Sequence, residues 1–177
     1  FKSKIADKRD IFNFLTFRAA EAKDDIALGE LLIKTHNKTG REKNIDNYMC
    51  KEKEIALSST RLRRENAYVR IVELGKEIVG TYALHHPKSI TNDSWIENSH
   101  YFSTFAIHPI LHGLGFGKVL MIDAQMKALK QESEYMTLHV NIEAIGLQKF
   151  YESFNFIFDA RGNRERSGIN VKGYQCK

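Results

Sequence analysis

Residues 101–118 read YFSTFAIHPILHGLGFGK: an apolar run passes through His108-Pro109, and glycines at 113, 115 and 117 lead into residues with helical periodicity. No other segment limits the fold as tightly. Glycines let a backbone approach a ligand closely and leave its amide N–H groups unobstructed. A helix that begins at such a loop adds unpaired N–H donors and the positive end of its dipole. Strand, glycine loop and helix together predict a cradle for a phosphate or pyrophosphate. The competing reading is a glycine turn that only packs a helix on a sheet.

Spacing separates this loop from the two commonest nucleotide loops. A Walker loop has four residues between its first glycine and a Gly-Lys-Ser/Thr triplet, whereas Gly113 and Gly117 enclose three, and Val119 follows Lys118 where a hydroxyl is needed. A dinucleotide fingerprint is G-x-G-x-x-G at the opening of a βαβ chain. Here the pattern is G-x-G-x-G and falls late in the sequence.

The segment His112-Gly113-Leu114-Gly115-Phe116-Gly117 resembles the Arg/Gln-x-x-Gly-x-Gly loop of the GNAT superfamily of N-acetyltransferases. A second segment resembles that superfamily's downstream signature, with Leu138 and Val140 on a short strand and Phe150, Tyr151, Glu152 and Phe156 at the matching positions. The two stand in the superfamily's order, with an amphipathic helix between them, and span about the C-terminal half of the chain. Four positions depart from it. His112 replaces Arg or Gln, a group only partly protonated near neutrality, which shifts phosphate binding towards backbone amides. Ala144 replaces an Asn, with Asn141 three residues earlier as a candidate helix cap. Asn155 replaces a Gly and tolerates the left-handed conformation that ends helices, and Leu147 replaces an Ala.

The rest of the sequence supports one α/β domain over residues 1–177. With 42% hydrophobic and 28% charged residues the composition is that of a globular protein with a sizeable core. No apolar run is long enough to cross a membrane, and the opening FKSKIADKRD is charged rather than signal-like, so a cytoplasmic protein without membrane contact is expected. Two widely spaced cysteines, Cys50 and Cys176, predict free thiols and no metal site. The net charge of +5 comes from dispersed Lys and Arg, which argues against nucleic acid and fits steering of a polyphosphate. The densest cluster, Arg61-Leu62-Arg63-Arg64, reads as a solvated helix end.

Alternation and turn residues predict a strand over 12–20, a helix to about His36, a loop over 37–43 and a second helix from Ile45. A hairpin of strands 67–74 and 77–84 turns at Gly75-Lys76. A loop over 86–98 precedes the strand ending at Pro109. The helix after the glycine loop is expected to bury Val119, Ile122, Met126 and Leu129. A strand at 135–140, a helix at 144–154 and strands 156–160 and 169–176 about Arg161-Gly162-Asn163 complete the order βααβββαβαββ. The resemblance implies an α/β/α sandwich with a central mixed sheet that splays after the glycine-loop strand.

It also implies acetyl-CoA as co-substrate, without metal, and acetyl transfer to a primary amine by direct attack in a ternary complex. Pantetheine would pair with the backbone of Phe105, Ala106 and Ile107. The pyrophosphate would meet the loop of His112, Gly113, Leu114, Gly115, Phe116, Gly117 and Lys118, chiefly through amides of Gly113, Gly115, Gly117 and Lys118. Tyr151 would touch the cofactor and protonate the leaving thiolate, a phenol having a reference pKa of about 10. Strand alternation puts Tyr101 and Ser103 on one face with Phe105, and a water relay through Ser103 is the expected base. Glu73, His85, His86 and Glu97 are further candidates for which a solvated or structural role is expected. Trp95, Tyr82, Tyr48 and His85 are candidates for the acceptor pocket. The expected partner is an amine-bearing small molecule or protein, with a homodimer left open. The alternative is an acyl-CoA-binding or regulatory module of the same fold with weak catalysis.

Overall fold

The computed structural model describes residues 10–39, 53–166 and 168–177. Seven strands, β1 (Leu15–Ala19), β2 (Tyr68–Leu74), β3 (Glu77–His85), β4 (Ser99–Ile107), β5 (Tyr135–Asn141), β6 (Ile157–Arg166) and β7 (Ile169–Cys176), form one sheet ordered β1-β2-β3-β4-β5-β7-β6. All neighbours are antiparallel except β4 and β5. The helices among the described residues are α1 (Asp25–Thr39), α2 (Lys53–Asn66), α3 (Phe116–Lys130) and α4 (Ile145–Glu152). Their order with the strands is the predicted βααβββαβαββ.

Each face of the sheet is apolar for the helices that cover it. On one, Leu28, Leu31 and Leu32 of α1 pack on Val69, Ile71, Ala83 and Ala106. On the other, α3 and α4 bury Leu120, Met121, Ala124 and Tyr151 against Val72, Tyr82, Phe102 and Phe156. Small residues let α3 approach closely: a side chain on Gly80 of β3 would stand 3.0 Å from Leu120. The buried face of α3 is therefore Phe116, Leu120, Met121, Ala124 and Ala128. This corrects the expected stripe, since Ile122, Met126 and Leu129 are exposed and Val119 is half-buried. Long apolar residues outscore alanine in a pattern, yet alanine permits the closer contact.

The Gly75-Lys76 hairpin forms, with Gly75 at φ 67, a conformation that glycine adopts without strain. Buried Asp24 accepts two bonds from Arg18 and one from the Glu21 N–H, and Arg18 also binds Glu73, so β1, the start of α1 and β2 are tied at one point.

Three boundaries differ from expectation. Residues 10–14 form a 3-10 turn, leaving β1 only Leu15–Ala19, and α1 continues to Thr39. β6 does not turn at 161–163 but runs to Arg166, bulging between Asp159 and Arg164. Trp95 explains that bulge: its indole lies over Gly162 and Gly173, where an added Cβ would come within 2.6 and 2.7 Å of the ring, and its Nε1–H donates to Asp159 (3.0 Å). The start of the second helix at Ile45, with Tyr48, Met49 and Cys50, lies outside the described residues. Cys176 is free and buried.

Candidate functional site

β4 and β5 pair only through Ser99, His100 and Tyr101 with Tyr135, Met136 and Thr137. Beyond Tyr101 the strands part, and a cleft of about 1210 Å³ opens between them. Its walls are the free edge of β4, the glycine loop, the end of β5 and α4. That volume exceeds the ~300–1,000 Å³ usual for one small ligand.

At one end of the cleft lies the glycine loop. Gly113 and Gly115 hold φ 78 and 88, the left-handed region that favours glycine. A Cβ on either would meet no protein atom, so both face open space. Gly115 caps α3. Among the described residues the N–H groups of Gly113, Gly115, Phe116 and Gly117 have no acceptor, while those of Leu114 and Lys118 donate to the carbonyls of Leu111 and Gly115. Phe116 thus takes the place expected for the Lys118 amide, because the first turn of α3 is tight; the exposed Lys118 contributes only its ammonium. The Nε2–H of His112 donates to the Ile107 carbonyl (2.8 Å), tethering the loop to the end of β4.

The edge of β4 towards β5 has no ladder partner from Phe102 to Ile107. A bulge at Thr104, held at φ 56, bends it away: Thr81 opposes Ala106 while Ala83 opposes Ser103. One extra residue reverses the side-chain alternation. Phe105 therefore joins Phe102, Phe150 and Tyr151 on the α4 face rather than Ser103. Ala106 points at Leu31 and Leu32, and Leu114 packs into the core, so neither side chain lines the cleft.

Tyr151 is 4% exposed, ringed by Phe102, Phe105, Phe150 and Phe156, and it lines the cleft. Its hydroxyl makes no hydrogen bond among the described residues. Burial raises its pKa above the usual phenol value, with the neighbouring Tyr101 adding to the effect. It is a neutral donor without a partner.

From the opposite face of β4, Ser103 reaches the cleft with its Oγ 2.7 Å from His85 Nε2 and 3.0 Å from Thr104 Oγ1. His85 is 2% exposed and sits behind Ser103 rather than in the wall of the cleft. Desolvation, reinforced by Arg63 and Arg166 and opposed by Asp93, lowers its pKa to about 4, so the ring is neutral. Nearby, Tyr101 accepts from Arg166 (3.0 Å) and donates to His139 Nδ1 (3.1 Å), whose Nε2–H donates to the Gly162 carbonyl (2.9 Å). Burial lowers the pKa of His139 to about 4 as well.

The remaining candidates among the described residues lie away from the cleft. Tyr82 is fully buried and donates to Asp123 (2.7 Å), and Trp95 is seated on the glycines of β6 and β7; neither lines the cleft. Glu73 is bound by Arg18 near β1, and neither His86 nor Glu97 lines the cleft. Arg64 is not a solvated helix end but binds Asp25 of α1 in a fork (2.8 and 3.0 Å). Tyr48 lies outside the described residues.

Several further residues line the cleft: Asn141, Glu143, Ala144 and Ile145 on one rim, and Arg63, His139 and Arg166 at the end near Tyr101; of these the sequence singled out only Asn141, Ala144 and Arg63, for other roles. Asn141 Oδ1 accepts the Glu143 N–H (2.8 Å), so it shapes the turn before α4 rather than capping the helix itself. Arg63 of α2, His139 of β5 and Arg166 of β6 lie far apart in the chain and come to one cleft only in the fold, so no local motif joins them.

Among the described residues no cluster of His, Cys, Asp or Glu is arranged to hold a metal ion, and no helix is long and apolar enough to cross a membrane.

Residues 35–177 match the family model described as an acetyltransferase (GNAT) domain. No curated protein sequence matches the chain. Solved structures do. A putative acetyltransferase of the GNAT family from Desulfovibrio desulfuricans is similar with a TM-score of 0.70 at 13% identity, over 92% of this chain and 98% of that one. A putative acetyltransferase from Salmonella typhimurium, solved with its cofactor acetyl-CoA, is similar at TM-score 0.67 and 16% identity, over 92% and 93%. A PaiA N-acetyltransferase from Thermoplasma acidophilum, in complex with coenzyme A, has TM-score 0.67 and 15% identity, over 90% and 97%.

Proposed function

Since the chain belongs to the GNAT acetyltransferase family, we propose that it is an acetyl-CoA-dependent N-acetyltransferase that acetylates a primary amine by direct attack in a ternary complex. The observation that carries the proposal is the cradle of four acceptor-less N–H groups, at Gly113, Gly115, Phe116 and Gly117, opening into the split between β4 and β5. These residues fit a pyrophosphate, with Lys118 adding positive charge. The free edge at Phe105, Ala106 and Ile107 would pair with the pantetheine amides, and a main-chain N–H there would polarise the thioester carbonyl. The bound acetyl-CoA supplies the activated acyl group.

Tyr151 and Ser103 take the proton-transfer roles from opposite faces of β4. Tyr151, neutral and without a partner, would donate to the departing sulfur. Ser103 would receive the proton of the attacking amine. Arg63, Tyr101, His139 and Arg166 border the end of the cleft where the acceptor would enter.

A second reading, an acyl-CoA-binding or regulatory module, is favoured by one observation: the only carboxylate lining the cleft among the described residues is Glu143, on the α4 rim. Thermal unfolding with acetyl-CoA, coenzyme A or a free nucleotide, followed by thiol release over a panel of amines, separates the two. A ligand at a hundred times its Kd stabilises by about 2.7 kcal/mol, which for a chain of this size raises Tm by roughly 5–10 °C. No shift with coenzyme A refutes both readings. A shift without turnover on any amine favours the module.

A further inference from the structure

The hydrogen bonds behind Ser103 have a polarity that can be read from one end, because a carbonyl oxygen only accepts. Ser89 Oγ lies 2.6 Å from the Asn66 carbonyl and gives it its single proton. Thr91 Oγ1, 2.9 Å from Ser89 Oγ, must then donate to it. With its proton committed, Thr91 Oγ1 accepts from His85 Nδ1, 2.7 Å away. His85 is therefore the Nδ1–H tautomer, and its Nε2 lone pair accepts the Ser103 O–H at 2.7 Å. The lone pairs of Ser103 Oγ are left for Thr104 Oγ1 and the cleft.

We infer that His85 is the proton acceptor of the transfer reaction, acting through Ser103 as a positioning and relay residue; this rests on the N-acetyltransferase reading. As the amine nitrogen's lone pair becomes the new N–C bond, its N–H proton passes to Ser103 Oγ while the Ser103 O–H proton moves to His85 Nε2. The C–S electron pair leaves with sulfur, which takes a proton from Tyr151. After release, the imidazolium loses its proton through Ser103 to solvent in the cleft and the tyrosinate regains one, so the protons balance.

A weak base is adequate for this step. A nitrogen already bonded to the acyl carbon is far more acidic than a free ammonium, so the relay need not deprotonate the latter. The charged groups around His85 are Arg63 of α2, Arg166 of β6 and Asp93 of the 86–98 loop, with the Tyr101 ring 5.6 Å away. Two cations against one anion, together with burial, keep the ring neutral and able to accept at neutral and mildly acidic pH. Sequence spacing could not reveal the pair: Ser103 and His85 meet only because Ala83 opposes Ser103 in the β3–β4 register.

Nitrogen-15 NMR of His85 reads the tautomer without any acceptor. The expected signature is Nδ1–H with an unprotonated Nε2 from pH 8 down to about 5, and an Nε2–H tautomer overturns the relay. For turnover, spermidine, L-lysine and a tripeptide with a free N-terminus serve as acceptors. Ser103→Ala and His85→Gln should each lower kcat by roughly 10²-fold, with the KM for acetyl-CoA little changed and the double variant no slower than either single one. Imidazole should restore His85→Ala, and pyrazole, of the same shape but far less basic, should not. Near-normal kcat in Ser103→Ala, additive losses, or equal rescue by pyrazole overturns the relay and leaves the acetyltransferase reading standing. Absence of turnover by the unaltered protein with every amine overturns both, and the coenzyme A shift then tells whether binding survives.

Discussion

A residue's conformation and its neighbours decide different things at Gly115 and Tyr151. Gly115 is glycine for its φ of 88 and not for lack of room, since a Cβ there would face open space. Gly115→Glu would impose backbone strain and place a carboxylate in the anion cradle. Coenzyme A binding by calorimetry should fall below detection, and retained affinity would refute the cradle. Tyr151 has no hydrogen bond to lose, so Tyr151→Phe should leave Tm within a degree or two, whereas a satisfied buried hydroxyl would cost about 1 kcal/mol. Its kcat should fall by roughly 10²-fold with little change in the KM for acetyl-CoA; an unaltered kcat removes it as the acid. Both residues were legible because each belongs to a local motif. The roles of Phe116 and His85 were not, although both stood among the candidates: the first is recognised by which amide lacks an acceptor, the second by strand register.

Element order was legible from alternation and turn residues, but the features that shape the cleft arise where that alternation breaks. The Thr104 bulge swings Phe105 to the α4 face, and nothing in YFSTFAI marks the extra residue. β6 continues through Arg161-Gly162-Asn163 because Trp95, distant in sequence, covers Gly162. The contact makes two glycine substitutions distinguishable. Gly162→Ala would drive a Cβ to within 2.6 Å of the indole and should destabilise by about 1–3 kcal/mol. Trp95→Ala in the same chain should recover part of that loss. Gly173→Ala also meets the Gly162 backbone at 2.5 Å, so Trp95→Ala should not recover it. Urea midpoints of the three single variants and the two double variants check the contrast; equal recovery at both positions would mean that the indole alone sets the fit.

Across the whole molecule, the sheet is divided where β4 and β5 part, and a neutral histidine stands on each side, the buried His85 on β3 and the half-buried His139 on β5. Both have pKa values lowered from 6.5 to about 4, chiefly by desolvation. The sign follows from proton counting. As pH falls from 6.5 towards 4 the unfolded chain binds protons at these rings and the folded chain does not, so stability is lost in that window; above it neither state is charged there and below it both are. For His85, 2% exposed, the loss is on the order of 3 kcal/mol. The fully buried His100, lowered in the same direction by desolvation, shares this window, whereas Asp24 and Asp159, whose arginine partners hold their pKa values below the usual carboxylate range, lose stability mainly at still lower pH. Urea unfolding at about pH 7, 5.5 and 4.5 should show the decline in the unaltered protein and a shallower one in His85→Gln, which has no proton to refuse. Parallel declines in the two proteins would mean that His85 titrates alike in both states, and the dry, neutral environment that the relay needs would then be absent.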